Sequence, residues 1–249
     1  MIFRTLATLA TLLCAGGALG ADPSTLKFHG YAYDLVSGKF LYTEVHEQRI
    51  ADDRWVGGTI DYYSPDGKRI GHKTLDFSQD PHVPVFRLEL TSKGGYMESI
   101  TGVTAGRIEM AKQDHGEKKI ETASVKRKGL VAADSGFHTF LRDHFGELMA
   151  GQTVAFSFAV AGNLDTFKFR AKKTSDTTFE GRPAVTLRIE PDSLLRFLVD
   201  PLEVTYEPGP RKLVEYRGVS NIHDEVSGKP YNVRVIYPSA RPADAPALP

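Results

Sequence analysis

Two histidines and a glutamate in the first predicted β-hairpin have residue types and a spacing suited to chemistry. The turn Ser37-Gly38 separates two alternating, aromatic runs. A two- or four-residue loop predicts that His29 lies opposite His46, with Glu44 on the same face. Two imidazoles and a carboxylate on one patch could hold Zn²⁺ or act as a general acid/base pair. The alternative is an ordinary, half-exposed polar and aromatic sheet face.

Polar residues in the last predicted hairpin form a second candidate row. A turn at Ser227-Gly228 predicts Asn221 opposite Arg234 and His223 opposite Asn232. Such a row could contact the head group of a ligand, or it could simply be a solvated sheet face. His144 lies within an apolar helical stripe, where a histidine is more often a core residue than a catalytic one.

Motifs that would indicate an enzyme are missing from the sequence. It contains no G-x-S-x-G, no H-E-x-x-H, no phosphate loop and no dinucleotide fingerprint. The sequence therefore favours a non-enzymatic protein, leaves the enzyme alternative open, and predicts no cofactor. The chain has 31 Lys and Arg residues against 31 Asp and Glu residues. This balance argues against nucleic acid as a partner.

Turn signals that recur along the chain predict a β fold. Glycine-containing turns at 36–39, 64–68 and 225–229 each separate two strand-like runs. Val154, Phe156, Phe158 and Val160 recur at every second position, and Phe167 and Phe169 alternate with Lys168 and Arg170. This pattern is typical of a sheet with one wet face. We predict a mostly β protein, an antiparallel curved sheet or half-barrel meander, with one or two short helices packed on or in its concave side.

Two segments interrupt the strand pattern. The apolar residues of 137–148 recur at helical spacing, with Ser135 placed to cap the start. The segment Ser193–Val199 is apolar nearly all round, which predicts a buried helix. If this helix closes the concave side of the sheet, the surface beneath it would bind an apolar ligand. The predicted ligand-binding residues are Leu194, Leu195, Leu198, Phe156, Phe158, Tyr31 and Tyr42.

The ends of the chain predict export and a single domain. Residues 1–20 have the layout of a secretory signal, with cleavage expected after Gly20. Cys14 follows two leucines and so lacks the small residue that lipidation requires. We predict one β-rich domain over 21–237, a disordered Pro/Ala-rich tail over 238–249, and a periplasmic location. No later apolar run is long enough for a membrane-spanning helix.

Parts of the sequence resemble known families. The runs 28–44 and 202–222 resemble parts of uncharacterised exported proteobacterial proteins. The strand-rich plan with helical interruptions is similar to the half-barrel of the LolA/LolB-type lipoprotein carriers. This resemblance implies an apolar concavity that binds acyl chains or another hydrophobic ligand, and it transfers no individual functional residue.

Three functions remain open from the sequence. The first is a periplasmic binding or carrier protein for an apolar, lipid-like ligand. The second is a metal-dependent or acid/base enzyme centred on His29, His46 and Glu44. The third is an envelope assembly or structural protein that binds an envelope protein partner through a sheet edge. A small outer-membrane barrel is disfavoured by the helical segments and charged loops.

Overall fold

A computed structural model describes residues 24–192 and 201–248, which form one sheet of fifteen strands with two short helices. The strands are β1 (Ser24–Asp34), β2 (Phe40–Ala51), β3 (Arg54–Tyr63), β4 (Arg69–Asp76), β5 (Val85–Leu90), β6 (Tyr96–Val103), β7 (Arg107–Gln113), β8 (Glu121–Lys126), β9 (Val131–Ala133), β10 (Val154–Val160), β11 (Asp165–Phe179), β12 (Arg182–Pro191), β13 (Leu202–Glu207), β14 (Lys212–His223) and β15 (Pro230–Ile236). The helices are α1 (Gly136–Asp143) and α2 (Phe145–Met149).

The predicted turns are present, and their glycines explain them. Gly38, Gly67 and Gly228 have φ angles of 71°, 79° and 70°. L-residues other than glycine rarely adopt this region, so each glycine allows a tight reversal. In the first and last hairpins an aspartate also fixes the turn, because Asp34 and Asp224 each accept the backbone N–H three residues later, at 2.7 Å.

Strand β1 lies in the middle of the sheet, and the chain reaches both edges of the sheet halfway along the sequence. The strand order is β8-β7-β6-β5-β4-β3-β2-β1-β15-β14-β13-β12-β11-β10-β9. Strands β1 to β8 form a meander that runs outward to one edge. The chain then crosses to the other edge, where β9 pairs in parallel with β10, and returns to place β15 beside β1. All other pairs are antiparallel.

Side chains close part of this sheet on itself. Six strands lie between β6 and β14 in the sheet order. Nevertheless, Asn221 Nδ2 of β14 donates to Glu98 Oε1 of β6 at 2.7 Å, and His223 hydrogen-bonds His115 at 2.8 Å. We call β1–β7 with β14 and β15 the closed region. Its core contains Ile60, Leu88, Ile100, Ile108 and Val233, all at most 4 % exposed.

The second part of the molecule, which we call the helical region, comprises α1, α2 and β9–β13. The predicted helix over 137–148 is present, and Phe137, Phe140, Leu141 and Leu148 are buried as expected. It is interrupted at His144, where one helix ends and the next begins. The expected cap is wrong: Ser135 bonds no helix N–H through its side chain, and its Oγ donates to Asp134 instead.

The predicted fold class is confirmed: one curved, mostly antiparallel sheet carries two short helices. The predicted helix Ser193–Val199 and the predicted signal at 1–20 lie outside the described residues. The tail after β15 makes some contacts with the rest of the structure. Residues 238–248 form no strand, yet Ala245 is 2 % exposed and Asp244 accepts a hydrogen bond from Tyr33 at 3.0 Å. The tail therefore packs on the sheet through residues 244 and 245.

Candidate functional site

The predicted register of the first hairpin is wrong, and a β-bulge is the reason. Tyr33 pairs with Phe40, but Ala32 pairs with Tyr42, so β2 contains one extra residue at Leu41. A single extra residue moves every later side chain to the opposite face. His46 therefore lies opposite Phe28, on the inner face, where it is 7 % exposed.

His29 lies on the outer face and is exposed, opposite Val45. The three predicted metal ligands therefore do not share a patch. Within the described residues, no group of three histidine, cysteine, aspartate or glutamate side chains is arranged to hold a metal.

Two of the three predicted ligands, His46 and Glu44, are in contact. His46 Nε2 donates to Glu44 Oε2 at 2.8 Å, and the Tyr237 hydroxyl donates to the same oxygen at 3.0 Å. Phe28 stacks on the imidazole, with ring centroids 4.4 Å apart. Burial, and then the Glu44 carboxylate, raise the pKa of Tyr237. His46 Nδ1 is buried and has no hydrogen-bond partner among the described residues.

This pair has the parts of a general base, because a carboxylate fixes the imidazole tautomer and leaves Nδ1 as an acceptor. A catalytic base must reach the proton that it removes. None of the hydroxyl groups in the described residues hydrogen-bonds Nδ1, and aromatic rings flank the imidazole. The arrangement is therefore a buried hydrogen-bonded pair that orders the inner face of β1, β2 and the residue following β15.

An apolar surface built from phenylalanines lies in the helical region. In the ladder of β10 and β11, Phe156 pairs with Phe169 and Phe158 pairs with Phe167. Directly opposed residues share a face, and α1 covers one end of it. We call this set the phenylalanine face; its members are Phe137, Phe140, Phe156, Phe158, Phe167 and Phe169.

The phenylalanine face runs from the core to the surface. Phe140 is fully buried and its ring centroid lies 4.8 Å from that of Phe156. Phe137 contacts Phe158 edge-on at 5.5 Å. Phe158 and Phe169 are half-buried, and Phe167 is 39 % exposed. The buried rings thus pack against Phe158 and Phe169, and Phe167, which pairs with Phe158 across the ladder, extends the face to the surface.

The other predicted ligand-binding residues do not join this face. Tyr42 is fully buried in the closed region and hydrogen-bonds Ser220 at 2.7 Å. Tyr31 lies on the opposite face of β1, where it is 5 % exposed. Leu194, Leu195 and Leu198 lie outside the described residues. Of the seven predicted residues, only Phe156 and Phe158 share a described surface.

A concave feature lies elsewhere on the surface, and its lining contains several charged residues. It encloses about 460 Å³ and is bounded by Tyr33, Asp34, Arg217, Arg234 and Asp244 among others. Both arginines pair with Glu215, at 3.6 and 2.7 Å. Charged and already paired groups do not suit an apolar ligand, so we place the candidate site at the phenylalanine face.

The sequence reading missed a buried polar cluster at the junction of the two regions. Lys73 Nζ lies 2.6 Å from Asp134 Oδ2, and Asn221 donates to both Asp134 and Glu98. A signal was available. Lys73 stands between Gly71 and Leu75, at the inward positions of β4. A lysine at an inward position of an alternating strand indicates a buried charge that needs a partner.

The predicted polar row in the last hairpin is also corrected. Asn232 pairs with Val219, and Arg234 pairs with Arg217. The ladder between β14 and β15 is interrupted between Val219 and His223. This irregularity frees Asn221 and His223 to contact β6 and the residues after β7.

Comparisons with known proteins assign no family to the chain. No family model matches the sequence, and neither does any curated protein. A solved structure that is similar is a β-barrel-like protein of a domain of unknown function, DUF1849, from Brucella abortus. It is 10 % identical, has a TM-score of 0.48, and covers 87 % of this chain and 100 % of its own. The resemblance to LolA/LolB-type carriers stays a prediction.

The two described helices are short. Neither of them, nor any other helix in residues 24–192 and 201–248, has the length and apolar character to cross a membrane.

Proposed function

We propose that this protein is a non-enzymatic binding or carrier protein of the periplasm, and that it binds an apolar, lipid-like ligand on the phenylalanine face. One observation carries the proposal: cross-strand phenylalanine pairs form a strip that is buried at one end under α1 and exposed at the other, at Phe167. An acyl chain laid along the exposed end would extend a stack of rings that already exists.

The energetics favour such a ligand. A single exposed phenylalanine is ordinary on a protein surface, but a continuous apolar strip is typical of binding sites. Burial of apolar area contributes about 25 cal/mol per Å². Covering Phe158, Phe167 and Phe169 would therefore contribute a few kcal/mol, because an aromatic side chain has an area of about 150–250 Å².

The rigidity of the strip lowers the cost of binding. Phe158 contacts Phe137 and Phe169, with ring centroids at 5.5 and 6.2 Å. Side chains that are already held lose little freedom when a ligand binds, so more of the contact energy appears as affinity.

Titration with a fluorescent acyl probe tests the proposal. The wild-type protein is expected to bind the probe saturably, and excess fatty acid is expected to displace it and raise the melting temperature. Phe167→Glu places a charge on the exposed end of the strip and is expected to weaken binding at least tenfold. Phe158→Ala removes a half-buried ring and is expected to weaken it less.

Val226→Glu is the matched control. Val226 is 85 % exposed in the turn between β14 and β15, so the change adds the same charge at an exposed apolar residue away from the strip. This variant is expected to bind as the wild type does. If both glutamate variants bind equally, the phenylalanine face is not the site; if no acyl ligand binds the wild type, the carrier proposal is wrong.

A further inference from the structure

The buried cluster at the junction of the two regions contains a lysine and an aspartate in direct contact. Lys73 Nζ of β4 lies 2.6 Å from Oδ2 of Asp134, which follows β9. Their side chains are 6 % and 3 % exposed. The ring of Phe86 lies 5.6 Å from the same nitrogen and covers one side of it. The contact joins the closed region to the start of α1.

The two oxygens of Asp134 have different partners. Oδ1 accepts the backbone N–H of Ser135 at 2.6 Å and the Ser135 hydroxyl at 2.8 Å. Oδ2 contacts Lys73 Nζ and accepts Asn221 Nδ2 at 3.0 Å. Two donors at Oδ1 form the kind of site that stabilises negative charge on a carbonyl oxygen during nucleophilic attack. Oδ2 is left beside the amine.

From this geometry we infer that Lys73 and Asp134 condense into an isopeptide bond that ties β4 covalently to the junction of β9 and α1. A proton passes from the Lys73 ammonium to Asp134 Oδ2, which gives a neutral amine and a neutral acid. The nitrogen lone pair attacks Cγ, and the C–N bond forms while charge collects on Oδ1. The bond from Cγ to Oδ2 breaks, and Oδ2 leaves as water with a second proton from the nitrogen. No redox partner is needed.

Burial supplies the driving force for this step. Each ion of a buried pair carries a desolvation penalty of several kcal/mol, whereas an amide carries no charge. Condensation therefore removes two buried charges and releases water to the solvent. In water the balance is opposite, because both ions are well solvated. The reaction is thus specific to a buried pair.

Glu98 supports the neutral form of the amine. Its carboxyl shares the Asn221 amide with Asp134 and accepts the Tyr96 hydroxyl at 3.0 Å. Burial, the largest influence, raises the pKa of Glu98. A raised pKa favours the protonated form of Glu98, which adds no negative charge to the cluster. Glu98 is therefore a positioning residue for the condensation.

The chain offers an internal control. Lys173 Nζ and Asp176 Oδ1 are also 2.6 Å apart, but their side chains are 24 % and 77 % exposed. The two pairs have the same distance and different burial, so only Lys73 and Asp134 should condense. The one cysteine in the sequence is Cys14, so residues 24–249 contain no disulfide that could serve as a covalent tie.

Mass spectrometry of a tryptic digest of the denatured full-length protein tests the inference. Trypsin does not cut after an acylated lysine, so residues 70–87 should appear joined to residues 129–142, lighter by one water than the two peptides together. Asp134→Asn should give a branched peptide of identical mass, because it loses ammonia instead. Lys73→Arg keeps the positive charge and should give only linear peptides.

The outcomes separate clearly. Residues 70–73 recovered in full yield as a linear peptide from folded wild-type protein would overturn the inference, as would a branched peptide from Lys73→Arg. Lys173 cleaved normally in the same digest confirms that condensation requires burial. Glu98→Ala removes the acceptor of the Asn221 amide and is expected to lower the branched fraction severalfold, whereas Glu98→Gln keeps an uncharged acceptor and should retain the branched peptide. Circular dichroism of each variant separates this effect from loss of the fold. The result is independent of ligand binding.

Discussion

The closed region and the helical region both have apolar cores, but they differ in the side chains that are added to those cores. The closed region buries hydrogen-bonded groups, among them Tyr42 with Ser220 and His46 with Glu44. The helical region buries phenylalanines, with Phe140 completely enclosed. Hydrogen bonds are directional, and a buried polar group without its partner costs about 1–3 kcal/mol. Apolar packing is not directional. The buried hydrogen bonds therefore fix the arrangement of the closed region, whereas the partly exposed phenylalanines of the helical region leave apolar surface that a further apolar group can cover.

The largest expected effect comes from emptying the centre of the helical region. Phe140→Ala removes a fully buried ring that packs on Phe156 and His144. The expected loss is about 3–5 kcal/mol in the free energy of unfolding, the usual range for a buried phenylalanine. Chemical denaturation monitored by circular dichroism measures it. A loss below about 1 kcal/mol would show that α1 does not pack on the sheet.

Low pH is expected to destabilise the protein through the contact between His115 and His223, which closes the sheet. His115 Nδ1 donates to the Ser92 carbonyl, so its Nε2 accepts from His223 Nδ1. Burial, and then His115, lower the pKa of His223 to about 4 from 6.5. Between these values the unfolded state takes up the proton first. The free energy of unfolding therefore falls as pH decreases through this window, by up to about 1.4 kcal/mol per pH unit for a whole proton.

The comparison with His223→Asn isolates this effect. Burial also lowers the pKa of His138 in α1, to about 3, and raises that of Glu98, so the wild-type profile sums several groups. The variant keeps those groups and lacks one imidazole. Its unfolding free energy should fall less steeply than that of the wild type between pH 6.5 and 4. Urea titrations at several pH values measure the free energy of unfolding of both proteins. If that free energy falls equally steeply with pH in both, the acid response does not come from His223.

A smaller effect is expected from one hydroxyl in the closed region. Tyr42→Phe removes the hydrogen bond to Ser220 and keeps the ring, which packs edge-on against Tyr62 at 6.1 Å. The expected cost is about 0.5–1.5 kcal/mol, because Ser220 is part-buried and can find another partner. The Tyr62→Phe variant serves as a comparison of the same chemical change on the neighbouring strand. A cost above about 3 kcal/mol would mean that the hydroxyl supports a wider network.

The smallest effect on stability is expected from removing a phenylalanine at the exposed end of the phenylalanine face. Phe167 is 39 % exposed, so Phe167→Ala is expected to change the free energy of unfolding by about 0.5 kcal/mol or less. The contrast with Phe140→Ala tests whether the strip runs from core to surface. Comparable losses for the two variants would show that Phe167 belongs to the core and is not free to contact a ligand.

Local sequence rules predicted the fold class and the first helix well. Glycine turns and alternating residues define hairpins by contacts between near neighbours, and the stripe 137–148 defines its own buried face. The register of the first hairpin was harder to predict from the sequence. The bulge at Leu41 depends on how β2 curves against two neighbouring strands, and no residue type marks it. One unmarked residue therefore separated His29 from His46.

The candidate site was predicted only where it follows from strand alternation. Phe156 and Phe158 share a face by period two, and the structure confirms it. Tyr31 and Tyr42 were assigned to one face through the wrong register. The cluster of Lys73, Asp134 and Asn221 joins three distant parts of the chain, so no local pattern could assemble it.

The order of strands also fixes an order in time. Strand β1 pairs with β2 on one side and with β15, the last strand of the described chain, on the other. During folding, this second edge of β1 stays unpaired until β15 takes its place beside it. Pairing between such distant segments forms late, and an open edge can recruit other chains. The incompletely folded protein can therefore aggregate through the open edge of β1. Formation of the ladder between β1 and β15 closes this edge.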